Sequence, residues 1–142
     1  MTVSVENPPS HSAVVLPNIP GYIAQDQIYA GPRTLVYQAV SEKTQRPVVI
    51  KLLRQAYSSI DGLTQFRNQY AIGKKLTNPG VIQLYELAFY QDRLMIVMED
   101  FGGISLAQYL QRLKQQSEGN FPTIDVSLFL FIAVQISDVL AY

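Results

Sequence analysis

The sequence predicts an α+β fold, in which an antiparallel five-stranded sheet with one main helix is followed by two further helices. Three observations predict this class. Residues 22–53 contain three short extended runs divided by turn residues, which is typical of strands. The spacing becomes helical over residues 58–77 and returns to extended runs over 81–100. Residues 105–116 and 124–142 are again helical in spacing.

The composition excludes several classes of function. A net charge of zero at pH 7 leaves no basic stripe for nucleic acid. The chain contains no cysteine, and its single histidine, His11, lies in a segment rich in proline and serine. We therefore expect no disulfide, no cysteine nucleophile and no histidine-based catalytic or metal site. Residues 1–20 are expected to form a flexible leader without the features of a secretory signal, which favours a cytoplasmic protein.

The first two strands are expected within residues 22–40, on either side of a turn at Gly31 and Pro32. A polar connection over residues 41–47 leads into a third strand at 48–53. Because these connections are short, the simplest arrangement of the three strands is antiparallel.

The third strand places a lysine among apolar residues. Side chains alternate between the two faces of a strand, so Lys51 shares a face with Val49 and Leu53. An unpaired charge there costs several kcal/mol, so we expect Lys51 to have a partner or to reach water. A lysine that merely extends from an edge strand into solvent is the alternative to a functional role.

The main helix is expected over residues 58–77, and the sequence TNPG at 77–80 ends it. Its apolar side chains are spaced for one face: Ile60, Leu63, Phe66, Ile72 and Leu76. Two further strands, at 81–90 and 93–100, are expected to form a hairpin.

The last helix is apolar on nearly every side between Val126 and Val134, which is expected only of a helix surrounded by protein or lipid. The apolar run is about half of the roughly 20 residues that a membrane span needs, so we expect burial in protein and no membrane insertion. Nothing in the sequence follows this helix to cover it. We therefore expect the chain to be the first part of a domain that is cut in two.

The order of these elements and their amino-acid sequences resemble the N-terminal lobe of eukaryotic-type protein kinases, followed by the first two helices of the C-terminal lobe. The resemblance rests on VVIK at 48–51, NPGVIQLYEL at 78–87 and LMIVMEDFGGISL at 94–106, in the order and spacing of the family. It implies a flexible leader at 1–20, an N-lobe at 21–101, and at 102–142 the exit from the hinge with two helices of an incomplete C-lobe.

The resemblance implies an ATP site. In the family, the lysine at the position of Lys51 bridges the α- and β-phosphates and is held by a glutamate on the main helix. The family spacing places Gln69 at the position of that glutamate. Gln69 can accept a hydrogen bond but brings no charge, and a polar residue that only borders the apolar face is the alternative.

The adenine side of the site is implied in the same way. Met98 would control the back of the pocket, and main-chain groups at Glu99 and Phe101 would hydrogen-bond the purine in the hinge. Val36 and Val49 would line the upper side of the ring, although such residues are equally typical of a core.

The glycine-rich loop departs from the family pattern. Tyr29, Gly31 and Thr34 stand where the three glycines normally fall, so that only Gly31 remains. Pro32 removes an amide donor and stiffens the turn. The loop could still cover a nucleotide with fewer donors, and an ordinary hairpin turn is the alternative.

The catalytic loop and the metal-binding loop of the family follow the second C-lobe helix, beyond the last residue of the sequence. We therefore expect no catalytic and no metal-binding residues in this chain. It should be inactive alone, with magnesium bound only if the missing lobe is present. Expected partners are ATP, the missing lobe and downstream sensor or regulatory domains.

The loop with a single glycine and the segment FRNQY at 66–70 further resemble the kinase-like domain at the start of large cyanobacterial multi-sensor histidine kinases. Three functions follow as hypotheses. The first is the ATP-binding part of a serine/threonine kinase domain in signal transduction. The second is a non-catalytic, pseudokinase-like module that binds nucleotide or a partner. The third is a small interaction domain that docks through its apolar last helix.

Overall fold

The computed structural model describes residues 15–57, 59–116 and 124–141. It contains five strands, a short 3-10 helix at Gln55–Tyr57 that the sequence did not predict, and three α-helices. Their bounds are β1 Tyr22–Ala30, β2 Thr34–Ser41, β3 Pro47–Leu53, α1 Ile60–Lys75, β4 Leu84–Tyr90, β5 Arg93–Glu99, α2 Leu106–Gln116 and α3 Val126–Leu140. The predicted α+β class with a five-stranded sheet is confirmed.

The strands form one antiparallel sheet in the order β1-β2-β3-β5-β4. The strand that carries Lys51 is therefore central, with β2 and β5 as its neighbours. A lysine extending from an edge strand, the alternative considered above, is excluded by this order. The hairpin β4–β5 turns through Gln91 and Asp92, which both have positive φ, as the central residues of a two-residue type I′ turn do.

One face of the sheet carries the larger cluster of buried side chains, which we call the closed face. Its fully buried residues come mainly from β2, β3 and β5: Tyr37, Ala39, Val48, Ile50, Leu52, Met95 and Val97. Ile19, which the sequence assigned to the flexible leader, belongs to the same cluster and is 1% exposed. The residues just before β1 thus contribute to the core.

The opposite face, which we call the open face, carries Lys51 and is partly covered by α1. Phe66 of α1 packs there with Leu53, Leu94 and Ile96 in a second buried cluster. The helix begins at a Ser59 cap, whose hydroxyl accepts a hydrogen bond from the Gly62 amide.

The far end of α1 is fixed against β4. A Cβ atom at Gly73 would collide with the Leu84 side chain, so glycine permits this close approach. Lys74 Nζ also donates to the Leu84 carbonyl at 2.8 Å. These contacts set the position of α1 over the sheet.

The apolar face predicted for α1 is only partly correct. Phe66 is buried, whereas Ile60 and Ile72 are 83% and 63% exposed. Six residues correspond to about one and two-thirds helical turns, so Ile72 cannot lie on the same side as Phe66. Tyr70 is the residue that continues the Phe66 side and packs on the second cluster.

The prediction that α3 is buried is wrong for this chain. No residue of α3 is buried, and large apolar side chains such as Phe131 are more than half exposed. The expected burial depends on neighbouring elements, and α3 meets few of them here. One contact is that of Val139 with Gly80 in the loop between α1 and β4. Among the described helices, none is both long and apolar enough to cross a lipid bilayer.

Candidate functional site

The open face brings together four of the residues that the sequence selected. The register pairs Val36 of β2 and Ile96 of β5 with Lys51, and pairs Met98 of β5 with Val49. Directly paired residues in an antiparallel sheet point to the same side, and so do residues two apart in one strand. Val36, Val49, Lys51 and Met98 therefore share one face, all partly exposed.

Lys51 has the partner that the sequence predicted. Its Nζ donates a hydrogen bond of 3.0 Å to Oε1 of Gln69. The same nitrogen lies 6.0 Å from the centre of the Phe66 ring, within the range of a weak cation–π contact. Burial lowers the pKa of Lys51 below its ordinary value of 10.5, because removing water disfavours the charged form.

Helix packing explains why Gln69 reaches the lysine. Phe66 anchors α1 in the second buried cluster, and Gln69 follows three residues later on a neighbouring part of the same side. Because the acceptor is an amide, the contact is an ion–dipole interaction that leaves the charge of Lys51 uncompensated by this partner. An anion would meet a positioned cation here.

The turn between β1 and β2 is tightly closed around Gly31. Its amide donates to the Thr34 carbonyl at 2.9 Å. The Tyr29 ring lies where a Cβ of Gly31 would stand, so a side chain at this position would collide with it. Glycine at this position leaves room for the Tyr29 ring and does not serve a positive φ. Pro32, next in the turn, has no amide hydrogen.

The segment after β5 is the predicted hinge. The Glu99 amide donates to the Gln83 carbonyl at 2.9 Å, which ties the end of β5 to the residue before β4. Phe101 follows with a ring that is 65% exposed. Gly102 has φ of 69°, and the chain turns there towards α2.

The segment after β5 contains the three letters of the metal-binding motif of kinases. The letters D-F-G do occur, at Asp100, Phe101 and Gly102. They directly follow β5, whereas the metal-binding motif of kinases lies beyond both C-lobe helices. Both carboxylate oxygens of Asp100 already accept hydrogen bonds, from Gln38 Nε2 at 3.0 Å and from the Gly102 amide at 2.9 Å. Asp100 is thus a turn-forming residue here.

Sequence reasoning missed a second pair next to Lys51 and Gln69. Nη1 of Arg33, in the β1–β2 turn, donates to Oε1 of Gln65 at 3.4 Å. The available signal was the spacing of Gln65 and Gln69, four residues apart and therefore neighbours on one side of a helix.

Two cavities open beside Lys51. A cavity of about 380 Å³ lies between the β1–β2 turn, β3 and the first half of α1, and both glutamines line it. A second, of about 420 Å³, lies behind Met98 between α1, β4 and β5. Within the described ranges, His, Asp and Glu side chains form no group of three that could hold a metal ion.

Comparisons with known proteins agree with this geometry. The family described as protein tyrosine and serine/threonine kinase matches residues 23–142. Serine/threonine-protein kinase D3 of Mus musculus is 27% identical over 115 residues, which are 81% of this chain and 13% of that protein. Serine/threonine-protein kinase ULK3 of Rattus norvegicus is 25% identical over 96 residues, 67% of this chain and 20% of that protein.

Among solved structures, the PknI kinase domain of Mycobacterium tuberculosis superposes with a TM-score of 0.70 at 19% identity. The match covers 87% of this chain and 48% of that domain. The predicted fold, a kinase-like N-lobe with part of a C-lobe, is thereby confirmed. The chain spans a fifth or less of the two curated relatives and about half of the PknI domain.

Proposed function

Because the chain belongs to the protein tyrosine and serine/threonine kinase family, we propose that it forms the ATP-binding part of a serine/threonine kinase domain. The observation that carries this proposal is the placement of Lys51, half-buried on the open face of the sheet and held by Gln69. Phosphate binding needs a cation fixed at the floor of a cleft, since phosphoryl transfer depends on positioning and charge neutralisation.

The purine would lie beside the lysine, against the same face of the sheet. Val36 and Val49 would contact the ring, and Met98 would close the back of the pocket. The hinge would supply the Glu99 carbonyl and the Phe101 amide to the purine edge. Apolar walls with a few converging main-chain groups are what a flat heterocycle requires, which supports this placement of the purine.

We propose that this part of the chain does not hold magnesium by itself. The described residues contain no group of three His, Asp or Glu side chains for a metal ion, and the Asp100 carboxylate is engaged in a turn. We propose that these 142 residues do not transfer phosphate alone, since the H-R-D catalytic loop of the family is not among them.

The wider setting of the chain is also a proposal. The resemblance to the first domain of cyanobacterial multi-sensor histidine kinases favours a signal-transduction protein in the cytoplasm. In it, residues 21–101 would form the N-lobe and residues 102–142 the hinge exit and the start of the C-lobe. Downstream regulatory domains would then be its partners.

A non-catalytic, pseudokinase-like role is the second candidate. Two observations favour it: the acceptor for Lys51 is the neutral Gln69, and the turn at Gly31 has few amide donors to offer. An assay of phosphotransfer by a protein that contains the complete domain separates the two candidates. Only the catalytic role predicts that this protein transfers phosphate and that the Lys51→Met variant loses the activity.

Nucleotide titration tests the ATP site itself. We expect isothermal calorimetry to show weak ATP binding by the 142-residue chain, and Lys51→Met to lower the affinity about tenfold through loss of a charge-assisted contact to phosphate. Lys75→Met is the matched control, since Lys75 is an exposed lysine in the last turn of α1. Absence of ATP binding, or equal losses in both variants, would refute the site.

A further inference from the structure

Two cations approach α1 from the sheet side at neighbouring positions. Arg33 donates to Gln65 at 3.4 Å, and Lys51 donates to Gln69 at 3.0 Å. The two glutamines are four residues apart, which corresponds to about 6 Å along the helix axis. The acceptors in both of these pairs are neutral amide oxygens.

The four side chains line one cavity of about 380 Å³. Its remaining polar lining comes from Thr34, Ser59 and Asp61. Two cationic side chains thus face one carboxylate, and the balance of charge on the walls is positive. A cavity of this kind favours an anionic ligand over a neutral one.

The β1–β2 turn explains why a side-chain cation is needed here. Kinases bind phosphates with glycine amides in this turn, but the Gly31 amide is engaged by the Thr34 carbonyl and Pro32 has no amide hydrogen. The Tyr29 ring also occupies the space beside Gly31. Main-chain donors are therefore few where the phosphates would pass.

Arg33 is suited to replace those donors. Its own carbonyl accepts a hydrogen bond from the Arg54 amide at 2.8 Å, which fixes its backbone to the end of β3. A guanidinium presents five N–H donors in a planar fork that matches phosphate oxygens. Its hydrogen bond to Gln65 is 3.4 Å long and exposed, and a hydrogen bond to a neutral amide is weaker than one to a charged phosphate oxygen.

We infer that Arg33 is a phosphate-binding residue that acts together with Lys51 on the phosphate chain of a nucleoside triphosphate, in place of the missing glycine amides. This inference rests on the proposed ATP site. It assigns the specificity for a long phosphate chain to a side chain in the β1–β2 turn, so that affinity rises from AMP through ADP to ATP.

The test uses the 142-residue chain in EDTA, with three probes: ATP, inorganic tripolyphosphate and adenosine. Arg33→Gln is expected to weaken ATP and tripolyphosphate about tenfold, as for one charge-assisted contact, and to leave adenosine binding unchanged. Arg46→Gln is the matched control, because it removes the same charge from the exposed β2–β3 turn. Calorimetry measures the two anions, and chemical shifts of the Met98 methyl group follow adenosine.

The outcomes separate this inference from the ATP site. If Arg33→Gln leaves ATP affinity unchanged, or weakens it no more than Arg46→Gln does, the role of Arg33 is refuted while the ATP site stands. If tripolyphosphate binds in an Arg33-dependent manner but adenosine does not bind, the nucleotide proposal fails and the phosphate role remains.

A second variant guards against a folding defect. Arg33→Lys keeps the charge and loses the fork, so its ATP affinity should lie between those of wild type and Arg33→Gln. A Lys variant as weak as Arg33→Gln, with a circular dichroism spectrum unlike that of wild type, would assign the loss to misfolding and overturn the inference.

Discussion

The central strands β3 and β5 and the helix α3 are built from similar apolar residues but have opposite environments. Ile50 and Ile96 in the strands are 0% and 1% exposed, whereas Phe131 and Leu140 in α3 are 63% and 80% exposed. Both regions are rich in apolar residues. Their difference lies in the neighbours that the rest of the chain provides.

Each central strand has a partner on both sides and packed side chains on both faces. Burial there comes from the neighbouring strands of the sheet and from α1. Helix α3 contacts the loop between α1 and β4 through Val139, and most of its surface meets solvent. The sheet with α1 should therefore hold most of the stability, and α3 should hold most of the tendency to associate.

The largest effect is expected in the sheet. Replacing Ile50 by alanine should lower the free energy of unfolding by about 2–5 kcal/mol, because it removes buried methyl and methylene groups and leaves a cavity. The same substitution at Ile72, which is 63% exposed, is the control and should change it by about 0.5 kcal/mol or less. Urea denaturation measures both, and equal losses would show that the two sites do not differ in burial.

Association should be the next largest effect and should depend on α3. Leu130 and Val134 are each 54% exposed and lie four residues apart on one side of the helix. Their joint replacement by glutamine should weaken self-association of the chain about tenfold, since it removes apolar contact area.

Sedimentation equilibrium measures this change in association. Ile60→Gln is the control, since Ile60 is an apolar residue that is 83% exposed on α1. A wild-type chain that stays a monodisperse monomer at high concentration would contradict the assignment of association to α3.

The smallest expected effect is the pH dependence of stability that comes from Lys51, which is half-buried. The pKa of Lys51 is lowered in the fold by burial, so the unfolded chain binds more protons than the fold between the lowered value and 10.5. The free energy of unfolding should therefore rise with pH across that window, and not below it.

The measurement for this pH effect is the difference in unfolding free energy between wild type and Lys51→Met, followed by urea denaturation from pH 7 to pH 10.5. Groups common to both proteins cancel in the difference, which should increase with pH. A decrease would mean that the contacts with Gln69 and Phe66 favour the charged lysine more than burial disfavours it.

Part of the candidate site was predictable from the sequence. Alternation along β3 gave the face of Lys51, and the spacing of the kinase family implied Gln69 as its partner, to which Lys51 donates a hydrogen bond of 3.0 Å. The pairs Arg33–Gln65 and Gln38–Asp100 were not predicted. Each joins residues more than thirty positions apart, and no period in the sequence links a turn to a helix or a strand to a hinge.

The sequence by itself determined the order of the elements, the side of β3 on which the lysine lies and the approximate ends of each helix. Local backbone preferences and side-chain periods determine these features within about ten to twenty residues. Only the tertiary structure decided that Ile19 lies in the core and that α3 stays exposed. Burial is a property of the surrounding elements, since an apolar side chain is removed from water only where another part of the chain can cover it.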